Sequence, residues 1–261
     1  MNRKQTPNDF FQQAFQQTLL QDGFHRKLKS FYYQLDEENK WLKTISMNTY
    51  NSGRLFRVCM NVYPYTQPML QNIRPNLDFS HDILLMRIHA DPDFQPLTDG
   101  FFTLEAFTPT EKSMQHVFNL YDGYFRLQFI ACQTLEEVLV YQKKLELIDS
   151  SGAWNELYSM YGYLLCGNQQ KAILSAYAYR NQLNDHKISF EQELAAQQVN
   201  PRLSPHEAAR YQNSIDTLND NIREIKQTIE ALEYGDATPF TQEARLRMEA
   251  SQAHYKVLFG R

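Results

Sequence analysis

The sequence predicts an α+β fold, in which an N-terminal helix and an antiparallel meander sheet are followed by an all-helical C-terminal region. Between residues 26 and 107, apolar and polar residues alternate in short segments that turn residues separate, as in antiparallel strands. After residue 107 the apolar period changes from two residues to about 3.6, as in helices. The chain therefore divides into an α+β sheet domain at 1–107 and a helical domain at 108–261.

The first helix is predicted at residues 8–22. Asn8 is placed to cap its start, and Gly23 follows its last periodic residue, where a left-handed C-terminal cap is favoured. Phe24 is then expected to pack back on the helix end. One face carries the residues that recur at helical spacing, which are Phe11, Ala14, Phe15, Thr18 and Leu19.

Strands are predicted at 26–35, 40–50, 54–63, 83–89 and 101–107, with turns at 36–39 and 51–53. The strand at 54–63 alternates most clearly, with Phe56, Val58, Met60 and Val62 on one face. Its other face carries Arg57, Cys59, Asn61 and Tyr63. Because the opposite faces of later strands are also apolar, at Ile83, Leu85, Phe101 and Phe107, we expect part of the second sheet face to be covered.

Capping boxes open the predicted helices, at Thr108–Glu111, Thr134–Glu137 and Ser204–Glu207. Gly167 and Gly235 end helices, and a last helix is predicted at 239–258. The two regions need not be independent, because the first long helix of the second region has an apolar stripe that can pack on the sheet. This stripe consists of Met114, Val117, Phe118, Tyr121, Phe125 and Phe129.

The helix that follows Ser204 carries a heptad seam. Its members lie alternately four and three residues apart, at Tyr211, Ile215, Leu218, Ile222, Ile225, Ile229 and Leu232. Such a seam is typical of a helical hairpin or of a short coiled coil. In the second case, two copies of the chain would form a structural homodimer through residues 205–234.

The composition favours a soluble cytoplasmic protein. The formal net charge is -4, which gives no overall attraction to nucleic acid or to a membrane. No segment approaches the ~18 apolar residues of a membrane span, and we expect no signal peptide at the N-terminus. The 3 cysteines lie far apart without a C-x-x-C pair, which is typical of reduced thiols.

No pattern in the sequence predicts a catalytic residue, a cofactor or a metal. The phosphate-binding and dinucleotide-binding glycine motifs are missing, and so is the G-x-S-x-G motif of a serine hydrolase. His81, Asp82, His89, Asp91 and Asp93 have the chemistry of metal ligands. On a regular strand, however, His81 and His89 would be over ~20 Å apart, which is too far to share one ion.

A set of residues in the first region carries a family resemblance. It consists of Phe15, Leu19, Gly23, Phe24, Arg26, Lys27, Phe31 and Tyr32, and of Ile45, Phe56, Val58, Met60 and Val62 in the sheet. With these residues, the stretch 8–107 resembles a bacterial family of small domains of unknown function. Domains of this build occur among immunity proteins and other binding proteins of bacterial conflict systems. The resemblance implies a protein-binding role and transfers no catalytic residues.

A fainter resemblance lies in the helical region. Trp154, Leu157, Tyr161, Gly162, Gly167 and Ala172 are arranged in a way that is similar to a tetratricopeptide hairpin. No second copy follows at the repeat length of about 34 residues.

Two groups of residues are candidates for binding a partner. Tyr63, Tyr65, Tyr158 and Tyr161 suit an interface, because a tyrosine ring is apolar while its hydroxyl can stay wet; the alternative is a core with tyrosines at its rim. Arg26, Lys27 and Lys29 form a basic cluster with His25, and His25, Lys27 and Lys29 would share one strand face. This cluster fits an acidic partner, or else the lysines of an edge strand near a helix end.

We therefore predict a non-enzymatic protein that binds another protein. The more specific prediction is an immunity-type protein, whose partner is a bacterial toxin that it neutralises. The binding surface would be the exposed sheet face or the concave side of the helical region. Two alternatives stay open, which are an enzyme or small-ligand binder with a pocket between sheet and helices, and the homodimer through 205–234.

Overall fold

The computed structural model describes residues 5–36, 40–50, 55–66, 81–83, 87, 102–103, 106–107, 110–148, 156–199 and 204–259. It confirms the α+β class, with an N-terminal helix, an antiparallel sheet and a helical C-terminal region. The chain forms two compact units, which are Met1–Trp154 with Arg247–Arg261 (unit 1) and Asn155–Leu246 (unit 2). The predicted division at residue 107 marks the change from strands to helices along the chain.

The helices are α1 Pro7–Gln21, α2 Glu111–Leu120, α3 Arg126–Ala131, α4 Leu135–Ile148, α5 Glu156–Leu165, α6 Gln169–Val199, α7 Pro205–Glu233 and α8 Thr238–Phe259. A π-helical turn, Tyr121–Phe125, joins α2 to α3. The strands are β1 His25–Leu28, β2 Phe31–Asp36, β3 Trp41–Tyr50, β4 Leu55–Pro64, β5 His81–Asp82, β6 Phe102–Thr103 and β7 Ala106–Phe107. No helix within these described ranges is long and apolar enough to cross a bilayer.

The described strands form one antiparallel sheet in the order β1-β2-β3-β4-β7-β6, with β5 also paired to β4. The first four strands are the predicted meander, and β3 and β4 agree with the strands predicted at 40–50 and 54–63. The predicted strand at 26–35 is instead a hairpin, because the chain turns at Lys29–Ser30. The one at 101–107 is also a hairpin, between β6 and β7.

The prediction of a strand at 83–89 is wrong at the two residues of this range that the structure describes. Ile83 and Arg87 are helical, and the pairing with β4 lies earlier, at His81 and Asp82. A short apolar run does not distinguish a strand from a buried helical turn by its periodicity alone. Leu84, Leu85, Met86, Ile88 and His89 lie outside the described residues.

The N-terminal cap of helix α1 lies two residues earlier than predicted. The cap residue is Thr6 rather than Asn8, and its backbone N–H donates a 2.9 Å hydrogen bond to the Asp9 carboxylate. The C-terminal cap is confirmed, since Gly23 has a φ of 84° and Phe24 N–H donates to Leu19 O at 2.9 Å. Phe24 is buried and stacks on Phe129, at 5.8 Å between ring centroids.

The capping boxes of the later helices are partly as predicted. Helix α2 is capped by Thr110 rather than Thr108, because Ser113 N–H donates to Thr110 Oγ1 at 3.1 Å. Glu137 accepts the N–H of Thr134 at 2.9 Å, and Glu207 accepts that of Ser204 at 2.8 Å, which confirms the other two boxes. Side-chain acceptors at these places satisfy N–H groups that a helix start leaves unpaired.

The first face of the sheet is covered by α1, α2, the π-helical turn, α3 and α4. The predicted stripe does pack there: Met114, Tyr121 and Phe129 are fully buried and belong to one apolar core with β3 and β4. The same core contains Phe11, Phe15 and Leu19 of α1, and the sheet contributes Tyr32, Trp41, Ile45, Phe56, Val58, Met60 and Val62. Burial of this apolar area is the main term that holds these layers together.

The second face of the sheet is covered by the last part of α8, which belongs to unit 1. Tyr255 and Phe259 pack on a second apolar cluster formed by Phe31, Tyr33, Leu35, Leu42, Tyr63 and Tyr65. The ring of Phe259 stacks on that of Tyr33 at 4.2 Å between centroids. The sheet face that the sequence offered as a binding surface is therefore covered by the chain's own C-terminal helix.

Unit 2 contains α5, α6, α7 and the start of α8. The heptad seam of α7 is buried in a helical hairpin with α6, since Ile215, Ile222, Ile225, Ile229 and Leu232 are all buried. Phe190 of α6 meets Tyr211 of α7 at 5.5 Å between ring centroids. The hairpin is one of the two arrangements that the seam predicted.

Candidate partner-binding surface

The outward face of α1 is rich in glutamine. Helical spacing directs Phe11, Phe15 and Leu19 into the core and leaves the glutamines on the opposite side. A shallow concavity of about 640 Å³ lies on this face, lined by Asp9, Gln12, Gln13, Gln16, Gln17, Leu20 and Gln21. Gln13 Nε2 also donates to Glu111 of α2 at 3.1 Å. The face therefore offers amide donors and acceptors rather than an enclosed pocket.

Strand β1 lies at one end of the sheet order among the described strands. All four of its side chains, His25, Arg26, Lys27 and Leu28, are exposed, and Leu28 is 52% exposed. Its register against β2 shifts between Arg26 and Leu28, so Lys27 is the extra residue of a bulge. The bulge breaks the parity by which His25, Lys27 and Lys29 were expected to share a face.

Hydrogen bonds join β1 and the following turn to α1. Arg26 Nη1 donates to Gln16 Oε1 at 3.2 Å, and Lys29 Nζ pairs with Asp9 Oδ1 at 3.0 Å. The hydroxyl of Tyr32 on β2 donates to the same Gln16 oxygen at 3.4 Å. Burial raises the pKa of Tyr32, and the Arg26 cation opposes this rise.

These links make one continuous region, which we call the α1–β1 surface: Asp9, Gln12, Gln13, Gln16, Gln17, Arg26, Lys27, Leu28 and Lys29. Its cations outnumber its single carboxylate, although the whole chain is negative. Hydrogen bonds from the Thr6 hydroxyl and backbone, and then the Lys29 ammonium, hold the pKa of Asp9 well below its usual value. Asp9 is therefore ionised at neutral pH, and Lys27 forms no ion pair within the described part of the chain.

The predicted site residues fall into two groups. Arg26, Lys27 and Lys29 lie together on the α1–β1 surface. Tyr63 and Tyr65 lie at the end of β4, 2% and 1% exposed, in the cluster that Tyr255 covers. In unit 2, Tyr161 is buried and Tyr158 is half-buried within α5. The structure thus leaves the basic cluster accessible and uses most of these tyrosines in its cores.

A buried lysine was missed by the sequence analysis. Lys43 of β3 is fully buried, and its Nζ donates to two carbonyl oxygens at the C-terminal end of α3, Cys132 O at 2.5 Å and Ile130 O at 3.5 Å. The ammonium also lies 4.4 Å from the ring centroid of Trp41. Lys43 lies two residues from both Trp41 and Ile45, so on a strand it shares their inward face. A lysine among apolar residues on such a face was the signal in the sequence that could have predicted its burial.

A second missed contact joins Asp22, after α1, to Arg126, at the start of α3. Arg126 Nε and Nη2 each donate a 2.8 Å hydrogen bond to the carboxylate of Asp22, and Nη1 donates to Asp122 at 2.8 Å. The side chain of Asp22 is only 6% exposed. Because 104 residues separate Asp22 from Arg126, no local pattern in the sequence predicts this contact.

The described residues contain neither a cluster of metal ligands nor, at Cys132, a thiol with a lowered pKa. Among them, no three His, Cys, Asp or Glu side chains are placed to hold one ion. Asp82 of the predicted histidine–aspartate group lies 3.7 Å from Arg57 Nε, while His89, Asp91 and Asp93 lie outside the described residues. Burial raises the pKa of the Cys132 thiol, which disfavours the reactive thiolate.

Comparison with known proteins finds no matching family model, no matching curated protein and no matching solved structure. The resemblance of residues 8–107 to the bacterial domain family, and the fainter tetratricopeptide resemblance, therefore stay predictions from the sequence.

Proposed function

We propose that this chain is a non-enzymatic protein that binds another protein through its α1–β1 surface. The observation that carries the proposal is the position of β1, an outer strand whose four side chains are all exposed. Arg26 and Lys27 gather there with Lys29 on a chain whose net charge is -4. A local positive region of this kind steers and orients a negatively charged partner.

Two further features favour this proposal over the alternatives from the sequence. The space between the sheet and α1–α4 is filled by aromatic side chains, including the fully buried Phe15, Trp41 and Phe129, so it suits a core better than a ligand pocket. The heptad seam of α7 is covered within a single chain, so a homodimer through it would require α6 to leave.

The more specific part of the proposal is an immunity-type role, in which the partner is a bacterial toxin that this chain neutralises in the cytoplasm. The family resemblance of residues 8–107 supports the role. A reducing compartment suits the cysteines, because Cys59, Cys132 and Cys166 are all free thiols.

The genes that flank this one supply the test. Each neighbouring product is purified, and its binding to this chain is measured by calorimetry; a product that arrests growth is also coexpressed with this chain. We expect one product to bind, and its toxicity to be relieved by coexpression.

Charge reversal then locates the surface. Arg26→Glu with Lys27→Glu is expected to weaken binding by at least about tenfold, the scale of ~1.4 kcal/mol for lost charge complementarity. Lys226→Glu with Arg245→Glu makes the same charge change at exposed positions of unit 2 and is expected to leave affinity unchanged. The proposal is wrong if no neighbour binds, or if the reversed β1 binds as tightly as the wild type.

A further inference from the structure

The outer edge of β1 presents backbone groups as well as side chains. In an antiparallel pair, alternate residues direct N–H and C=O to one neighbour, so a terminal strand directs the others away from the sheet. Among the described strands β1 pairs with β2 alone, and residues 25–28 are exposed throughout. These groups can therefore pair with the backbone of an extended segment from another molecule, which is β-augmentation.

The side chains of β1 select which segment can pair. A second copy of this strand would place its Arg26 and Lys27 against the same cations, and like charges opposite each other are destabilising. An acidic strand would place opposite charges there instead. The basic residues that keep the edge from pairing with itself therefore favour an acidic guest.

The pairing register of β1 assigns its side chains to the two faces of the sheet. Arg26 pairs with Tyr32, which lies in the core under α1, and it reaches Gln16 on that side. His25 pairs with Tyr33 and Leu28 with Phe31, both in the cluster under α8. Because paired residues share a face, Arg26 lies on the α1 side, while His25 and Leu28 lie on the α8 side.

We propose that β1 takes up an extended acidic segment of the partner protein as an additional strand, in which acidic residues facing the α1 side meet Arg26 and apolar residues facing the α8 side meet Leu28. The guest sequence then alternates acidic and apolar residues. This inference rests on the proposed function, because it names the partner chemistry of the same surface.

The test uses the full-length chain and a fluorescently labelled peptide of three Glu-Val repeats, with binding followed by anisotropy. A second peptide has the same sequence with all its amide nitrogens methylated, which removes the N–H donors of both strand edges and keeps every charge. We expect the methylated peptide to bind about tenfold more weakly, the scale of one or two lost hydrogen bonds. A Lys-Val peptide of the same length is expected not to bind.

Hydrogen exchange locates the pairing: the unmodified peptide is expected to slow exchange of amides within 25–28. Equal affinity for the methylated and unmodified peptides would overturn strand addition, and so would binding that leaves these amides unprotected. Failure of the Glu-Val peptide to bind at millimolar concentration would overturn the inference as well. The calorimetry with neighbouring gene products is independent of these peptides, so the binding function can succeed where strand addition fails.

Discussion

Ser251 Oγ donates a 2.8 Å hydrogen bond to the backbone carbonyl of Tyr65, and both side chains are buried. This contact attaches the last part of α8 to the end of β4, across 186 residues of sequence. Four residues further along α8, the ring of Tyr255 contacts that of Tyr65, with 5.2 Å between the two ring centroids. One helix therefore completes the core of unit 1 from the far end of the chain.

Phe259→Ala is expected to lower the free energy of unfolding of unit 1 by about 3–5 kcal/mol, because it removes a buried ring from the cluster with Tyr33. Val257, two residues earlier, is 84% exposed, so Val257→Ala should change stability by less than about 0.5 kcal/mol. Urea denaturation followed by tyrosine fluorescence measures both. A loss for Val257→Ala as large as that for Phe259→Ala would show that α8 does not pack as described.

Lys43→Met is expected to destabilise unit 1 by about 2–3 kcal/mol. The substitution keeps most of the apolar volume but leaves the buried carbonyl of Cys132 and the partly buried carbonyl of Ile130 without their charged donor. Lys27→Met makes the same chemical change at an exposed strand position and should stay within about 0.5 kcal/mol of the wild type. Thermal denaturation of both variants provides the comparison, and equal stabilities would contradict the buried contact.

Arg126→Met is expected to cost about 3–5 kcal/mol, because it leaves the buried carboxylate of Asp22 unpaired. Adding Asp22→Asn should recover part of that loss, since the uncompensated charge disappears. The pair Arg223–Asp220 has the same 2.8 Å separation but is exposed, so Arg223→Met should cost at most about 1 kcal/mol. A double variant no more stable than Arg126→Met alone would show that the charge of Asp22 is not what the arginine offsets.

The contribution of Asp9 is expected to depend on pH. Thr6 and then Lys29 hold the pKa of its carboxyl below the usual value, so the folded chain binds this proton more weakly than the unfolded chain does. The stabilisation is therefore present above the unfolded pKa of about 4 and is lost as the pH falls below it. The stability difference between the wild type and Asp9→Asn, measured by denaturation between pH 7 and pH 2, should shrink accordingly.

The control for this series is Asp185→Asn, at an exposed position of α6. Its difference from the wild type should be small at neutral pH. If the effect of Asp9→Asn were the same at every pH, the ionised carboxylate would not be the stabilising group.

The elements that local chemistry specifies could be predicted from the sequence. Gly23, Gly167 and Gly235 all adopt the positive φ that a helix end favours, and alternation located β3 and β4 closely. Chain reversals were harder, because the turn at Lys29–Ser30 contains no Gly, Pro, Asn or Asp to mark it. The sequence singled out Arg26, Lys27 and Lys29 as candidate binding residues, but only the tertiary structure shows that Arg26 contacts Gln16 and that Lys29 contacts Asp9.

The sequence by itself determined which faces are apolar and where most helices begin and end, since both depend on residues within a few positions of one another. The tertiary structure alone decided what covers each face. The sequence around Tyr63 and Tyr65 does not show whether a partner protein or a helix of the same chain packs on them. In the structure, α8 packs on both. Lys43 and Asp22 likewise find their partners through contacts between distant segments, whose pairing follows from the packing of the whole unit.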